Sequence, residues 1–362
     1  MRRRACVAVL WILACSNGRG RDSAGATGIP PGIESAGTGG EAGGGDGVDD
    51  GGLETGPPTG TVDDDGGGDG LKLDVSDEPT SGADPTDGTN EVGCQKVDLL
   101  FVIDDSISMD DEQASLIAAF PAFIDAMQAE LGDTDGYNIG VVTSDAYAGD
   151  PTCPPVQRGI LVTQTGGDQA SNQVCGPYSS GARYMTDQED DLAMRFACAA
   201  QVGTAGDPDE RPVESLLAAV SPQMTGPGGC NDGFLRDDAL LVVVFITDEE
   251  DDHENAGCNF LPNSGSEGDP ADWYQALVAV KAGVESSIVV LSIVGPDQMP
   301  FCPPLDKCNL GSTGSEIAHR IIELTEMFSY GYVGSVCEPY GPQFQEAISI
   351  IDSACDDFEP PG

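Results

Sequence analysis

Three oxygen-bearing side chains, Asp104, Ser106 and Ser108, alternate along the chain where the apolar run from Val97 to Ile103 breaks off. In an extended turn, such alternation points all three groups at one spot. Asp248 stands at the end of a second apolar run, "LLVVVFIT". Two carboxylates and two hydroxyls converging on a point suit a hard divalent cation, Mg2+, Mn2+ or Ca2+, each of which prefers oxygen ligands. The bland alternative is a pair of solvated strand ends. Asp105, between the motif residues, is expected to turn away from the cation.

The runs that carry these residues read as strands buried on both faces, because they lack polar alternation. Leu116, Phe120, Phe123, Met127 and Leu131 then recur at helical spacing, with Pro121 expected to interrupt or kink the helix. "YNIGVVTSD" is the next strand, followed by an insertion over 146–186 of surface loops and short strands. Helices are expected over 189–202 and 212–220, then the strand 239–247, the helix "DWYQALVAVKAGV" and the strand 287–295. Ile317, Ile321, Leu324 and Phe328 mark another helix, a short strand lies near 331–336, and a last helix spans 344–353. Apolar strands alternating with helices predict an α/β fold, a parallel sheet covered by helices on both faces. Such sheets bind ligands beyond the carboxyl ends of their strands, where both acidic clusters sit.

With that order of elements, "VDLLFVIDDSISM" resembles the D-x-S-x-S signature of the von Willebrand factor A (vWA) domain family. "LLVVVFITDEE" resembles that family's later strand, whose terminal Asp completes a metal-ion-dependent adhesion site. The resemblance spans roughly 95–355 and implies a doubly wound, mostly parallel Rossmann-like sheet with helices on both faces, and a metal held by Asp104, Ser106, Ser108 and Asp248. A Thr from a middle loop normally joins them. Here the sequence departs from the pattern: Thr204 in "GTAG" matches by residue type, whereas counting back from "PVESLL" puts Glu210 nearer the expected position. Thr would leave the cation electron-poor and able to take a partner's carboxylate; Glu would partly neutralise it.

Outside the motif, composition divides the chain of 362 residues. Arg2, Arg3 and Arg4 followed by "ACVAVLWIL" read as an export signal over 1–14, since these nine apolar residues fall short of the roughly 20 that span a bilayer. "ILAC" resembles a bacterial lipobox, which would leave Cys15 lipid-modified; the alternative is an ordinary cleaved signal and a secreted protein. Residues 16–93 hold 23 of the 49 glycines and offer no apolar face, so they are expected to form a disordered acidic linker. A globular domain over 94–358 follows.

Net charge is −47, and residues 94–362 carry 45 acids against 9 bases. Such a surface repels nucleic acid and anionic lipid, so any membrane contact is expected through the lipid anchor alone. Ten cysteines remain in the globular region: Cys94, Cys153, Cys175, Cys198, Cys230, Cys258, Cys302, Cys308, Cys337 and Cys355. An even number in an exported domain predicts disulfides, with Cys302–Cys308 as a local pair and Cys94–Cys355 joining the two ends. Zinc is disfavoured because no CxxC pair exists and His253 and His319 are the only histidines.

The acid run Glu249, Glu250, Asp251, Asp252 and Glu254 reads as a solvated loop or, more sharply, a second calcium site. "DTDGYN" reads as a turn. No nucleophile elbow or phosphate-binding loop is present, so no catalytic residue is assigned. The expected protein is a lipid-anchored surface or periplasmic module. Its cation recruits a protein or other macromolecule that offers a carboxylate. The rivals are a structural or calcium-binding envelope protein and a metal-dependent hydrolase.

Overall fold

The computed structural model describes residues 93–130, 136–155, 157–207, 210–251, 265–296 and 314–359. The expected signal, Cys15, the linker up to residue 92, His253, Cys258, Cys302 and Cys308 lie outside them.

Six strands form one sheet: β1 (Val97–Ile103), β2 (Tyr137–Thr143), β3 (Met185–Thr186), β4 (Leu240–Ile246), β5 (Ile288–Val294) and β6 (Gly331–Ser335). Their order is β3-β2-β1-β4-β5-β6. All pairings are parallel except that of the edge strand β3 with β2. The helices are α1 (Asp110–Glu130), α2 (Leu192–Ala200), α3 (Pro212–Ala219), α4 (Pro222–Thr225), α5 (Pro270–Val280), α6 (His319–Glu326) and α7 (Tyr340–Asp356). The molecule is thus an α/β protein built on a mixed, mostly parallel sheet.

Side chains of β1 alternate between two cores. Leu99, Phe101 and Ile103 pack with residues of α1, α2 and α7. Leu100 and Val102 face the opposite layer, with residues of α3, α5 and α6. Phe101 sits edge-on to Phe120 and Phe196, at 5.9 and 4.8 Å between ring centres. Helix α1 continues through Pro121, because burial of Phe120, Phe123 and Ile124 against the sheet outweighs the lost hydrogen bond. Ile317 precedes α6 and is exposed, so the buried stripe there starts at Ile321.

The apolar run of β1 contains one buried acid, Asp98. Arg236 holds it with Nε at 2.8 Å from Oδ1 and its backbone N–H at 2.7 Å from Oδ2. Burial still pushes the Asp98 carboxyl up to about 6, against the lowering pull of Arg236. Lys281 Nζ beside it donates to Arg236 O, Asp237 O and Ala239 O, tying down the entry to β4.

Glu250 and Asp251 are buried rather than solvated. Asp251 accepts from Val213 N, Ser266 N and Ser266 Oγ, and so satisfies the first turn of α3. Glu250 Oε2 accepts from Arg320 N at the start of α6. This part of the acid run is a structural clamp whose oxygens are taken by protein donors.

Three disulfides join Cys94–Cys355, Cys153–Cys230 and Cys175–Cys198, and Cys337 is also disulfide-bonded. They mark a protein that matures in an oxidising compartment. The expected joining of the two ends is present; the expected Cys302–Cys308 pair lies outside the described residues. Among the described residues no helix is long and apolar enough to cross a membrane. Cys94–Cys355 closes a separation of 261 residues, so removing it as a Cys94→Ser, Cys355→Ser pair should cost about 2–5 kcal/mol. Thermal unfolding should show a midpoint on the order of 10 °C lower; an unchanged midpoint would contradict a cross-link that restrains the unfolded chain.

Candidate functional site

β1 does not end where its apolar residues end. Asp104 N–H donates to Ile246 O at 3.0 Å and carries the β1–β4 ladder one residue further. The chain then turns. Ser106 N–H donates to Asp104 Oδ1 at 2.7 Å, and Met109 N–H to Ser106 O at 3.3 Å opens the way into α1. Across the strand pair, Thr247 Oγ1 donates to Asp104 Oδ2 at 2.6 Å. The Ser106 and Ser108 hydroxyls lie 3.3 Å apart, and Ser108 Oγ donates to Asp248 Oδ1 at 3.1 Å. Asp104, Ser106, Ser108 and Asp248 are therefore brought together in one hydrogen-bonded chain, and all four are buried. Ile107, between the serines, is exposed.

Gln113, on the first turns of α1, braces this arrangement. Its Nε2 donates to Asp104 O (3.0 Å) and Gly203 O (2.8 Å), while its Oε1 accepts from Gly203 N (3.1 Å). The loop held there is the one that contains Thr204. Gly206 N–H donates to Asp105 O, and a Cβ on Gly206 would come within 2.7 Å of the Asp105 carboxyl, so only glycine permits this approach. Thr204 itself is half-buried. Its backbone N–H donates to Asp168 O, and its side chain makes no hydrogen bond among the described residues.

Glu210 lies instead against the acids. It is 4% exposed; among the described residues its carboxyl oxygens make no well-formed hydrogen bond, although the Ser144 hydroxyl and the Asp104 carboxyl lie beside it. Burial first, then the charges of Asp104, Asp105 and Glu249, push its pKa well above the ordinary range. Asp105 turns the other way from the hydroxyl chain, its Oδ1 accepting from Ser144 Oγ at 3.3 Å.

The whole group is electrostatically unbalanced. Burial raises Asp104, despite hydrogen bonds from Thr247 and Ser106. Burial and then the Asp104 charge raise Asp248 well above its usual value. Burial, Asp145 and Asp104 do the same to Asp105. No lysine or arginine figures among the main influences on Asp104, Asp105, Asp248 or Glu210. Asp248 Oδ2 is also without a hydrogen-bond partner. Buried polar atoms are normally satisfied, so these orphaned oxygens fit a missing cation. Among the described residues, no group of three or more His, Cys, Asp or Glu side chains closes into a metal-holding cluster. Asp104, Asp248 and Glu210 thus form no three-carboxylate cage, and hydroxyls would have to supply part of any ligand set.

Several participants were not anticipated from the sequence. Thr247 and Gln113 position Asp104. Glu112, in the first turn of α1, is buried with Oε2 unpartnered; burial, Asp111 and Asp248 push it up to about 9. The Tyr340 hydroxyl, influenced by Glu112 and Asp248, is likewise buried without a partner. His319 is exposed at the start of α6.

A carboxyl whose folded pKa exceeds its unfolded value favours folding at low pH, and that contribution disappears as pH rises through the folded value. The windows run from the ordinary carboxyl range up to about 6 for Asp98 and about 9 for Glu112. In EDTA, the thermal midpoint should therefore fall steadily from pH 5 to pH 9. A midpoint that rises over this range would mean that the acids are compensated by other means.

No family model matches the chain. No curated protein matches it in sequence. Solved structures to which it is similar include two of proximal thread matrix protein 1 from the mussel byssus, each 12% identical, with TM-scores of 0.33 and 0.29. The matches cover 73% and 72% of this chain and 47% of that one, so the chain spans about half the length of the protein it matches. Similarity of this degree assigns neither fold family nor function.

Proposed function

We propose that the protein is an exported, metal-dependent binding module: a doubly wound domain of vWA type that holds a divalent cation at Asp104, Ser106, Ser108 and Asp248. The observation that carries this reading is the buried, hydrogen-bonded chain that ends at Asp248, with an unpartnered oxygen on Asp248 and the buried Glu210 carboxyl beside it, and with no lysine or arginine among the main influences on either acid among the described residues. The strand order supports it as well, because it places the ends of β1 and β4 side by side, where a sheet of this kind binds ligands. Thr247 and Gln113 hold Asp104 in place, and Ile107 offers an apolar contact at the rim. A bound cation would supply positive charge and an open position for a partner's carboxylate.

In this reading, Cys15 carries a lipid and residues 16–93 tether the domain.

Glu210 favours a second reading, in which the cation stabilises the fold and recruits nothing. A third carboxylate near the site neutralises the cation and weakens its attraction for another acid.

Calorimetric titration with Mg2+, Mn2+ and Ca2+ tests the site directly. At a hundredfold excess of free metal over Kd, binding should add about 2.7 kcal/mol of stability. Asp248→Asn should abolish that gain yet raise the midpoint in EDTA, since it removes a buried, uncompensated acid. A flat titration for the wild-type chain would end the metal reading. Envelope proteins retained on the immobilised chain in Mg2+ but not in EDTA support the binding module; metal uptake without retention selects the structural reading. Glu210→Thr should loosen the metal and increase such retention.

A further inference from the structure

A cavity of 410 Å3 adjoins the metal-site residues through Asp105. Its lining residues include Asp105, Asp145, Tyr147 and the small residues Gly149, Gly167 and Ala205. No lysine or arginine lines it. Arg158, whose charge acts on Asp145, lies outside the lining; it donates to Ser144 O and approaches Glu214 at 3.8 Å.

Asp105 is 2% exposed and accepts one hydrogen bond, at Oδ1 from Ser144. Its own backbone N–H also acts on the carboxyl, and among the described residues no other residue donates to Oδ2. A carboxylate this deeply buried, with few donors and among the residues lining an open cavity, has room for one from outside. Asp145 adds a second negative group on the same wall, already braced by Asp207 N–H and Thr143 Oγ1.

The rest of the lining selects among cations. An inorganic ion needs six or more oxygens. The Tyr147 hydroxyl is committed to Val202 O at 2.7 Å, leaving mainly its ring for contact. Two carboxylates over an apolar and aromatic floor suit instead an organic cation, whose charged head pairs with the acids while its carbon stem lies on the floor. The volume is within the range of about 300–1,000 Å3 typical of small-ligand sites.

We propose that this cavity takes a guanidinium or ammonium group on an alkyl stem, and that the macromolecule recruited at the metal site presents one there as an arginine or lysine side chain. The second half rests on the binding-module reading above. The first does not.

The test uses the full chain, with butylguanidinium and butylammonium as probes and butyrate as the anionic control, followed by saturation-transfer NMR. Both cations should bind in EDTA, where butyrate should not. Asp145→Asn should weaken them about tenfold or more, the loss of a charge-assisted contact. Ala205→Phe, which adds bulk at the cavity lining and leaves both carboxyl groups in the sequence, should abolish binding. Failure to bind the wild-type chain, or equal binding to both variants, overturns the proposal. So does displacement of butylguanidinium by Ca2+ in Asp248→Asn, which would mark an inorganic cation site.

Retention of envelope proteins in Mg2+ should also fall in Asp145→Asn with Mg2+ affinity unchanged. Unchanged retention alongside lost probe binding would assign the cavity to a free small cation and overturn the partner half. If Mg2+ does not bind at all, the metal reading fails and the probe titrations alone judge the cavity.

Discussion

The parallel pairing of β1 with β4 is the constraint from which the rest of the site follows. Val97 pairs with Leu240 and Ile103 with Ile246, without a bulge between. The register is pinned at one end by Leu240 N–H on Lys96 O and by the Asp98–Arg236 pair, and at the other by Asp104 N–H on Ile246 O. Because strand side chains alternate with period two, a slip of one residue would move Phe101 out of its aromatic cluster and put Leu100 or Val102 there. Packing on both faces therefore fixes the register. It brings Asp104 level with Thr247 and within one residue of Asp248, which neither loop could achieve alone.

The two ends of this strand pair treat buried charge in opposite ways. At the amino end, Asp98 faces Arg236 and Lys281, and its pKa still stands about two units high. That residual corresponds to roughly 3 kcal/mol against the charged form, so even a well-partnered buried acid is costly here. At the carboxyl end, Asp104, Asp105, Asp248 and Glu210 are also buried and, among the described residues, have no such cation among their main influences. Acids that lack an arginine partner among the described residues at this end are consistent with the cation site proposed above. Local inconsistency of this kind is expected at functional sites.

The strands and most helices were legible because burial on both faces writes itself as uninterrupted apolar runs, and burial on one face as a helical stripe. The D-x-S-x-S spacing and the acid after β4 were legible because each lies at a run's end. What escaped depended on partners distant in sequence. Asp98 hides inside an apolar run because Arg236, 138 residues away, satisfies it. Glu250 and Asp251 resemble a solvated run, yet their donors come from Val213, Ser266 and Arg320. Glu112 looks like an acid complementing a helix N-terminus, and only the packing around it reveals an unpartnered oxygen. The cavity beside Asp105 was invisible for the same reason, since residues near 105, 145–151, 164–167 and 202–205 build it together.

Glu210 links the site to the character of whatever it binds. Two carboxylates, Asp104 and Asp248, would balance a divalent cation, and the serine hydroxyls add none. With Glu210 ionised alongside, the local sum becomes negative, so the electric field at the rim repels an acid approaching by itself. Asp105 and Asp145 deepen that field, and the net −36 of residues 94–362 extends it outward. On the proposed reading, a partner that brought its carboxylate on an otherwise basic surface would be drawn in at long range, and only its last approach would meet the repulsion of Glu210. On that reading the acidic surface would contribute to recognition as well as to solubility, selecting by sign before any side chain touches.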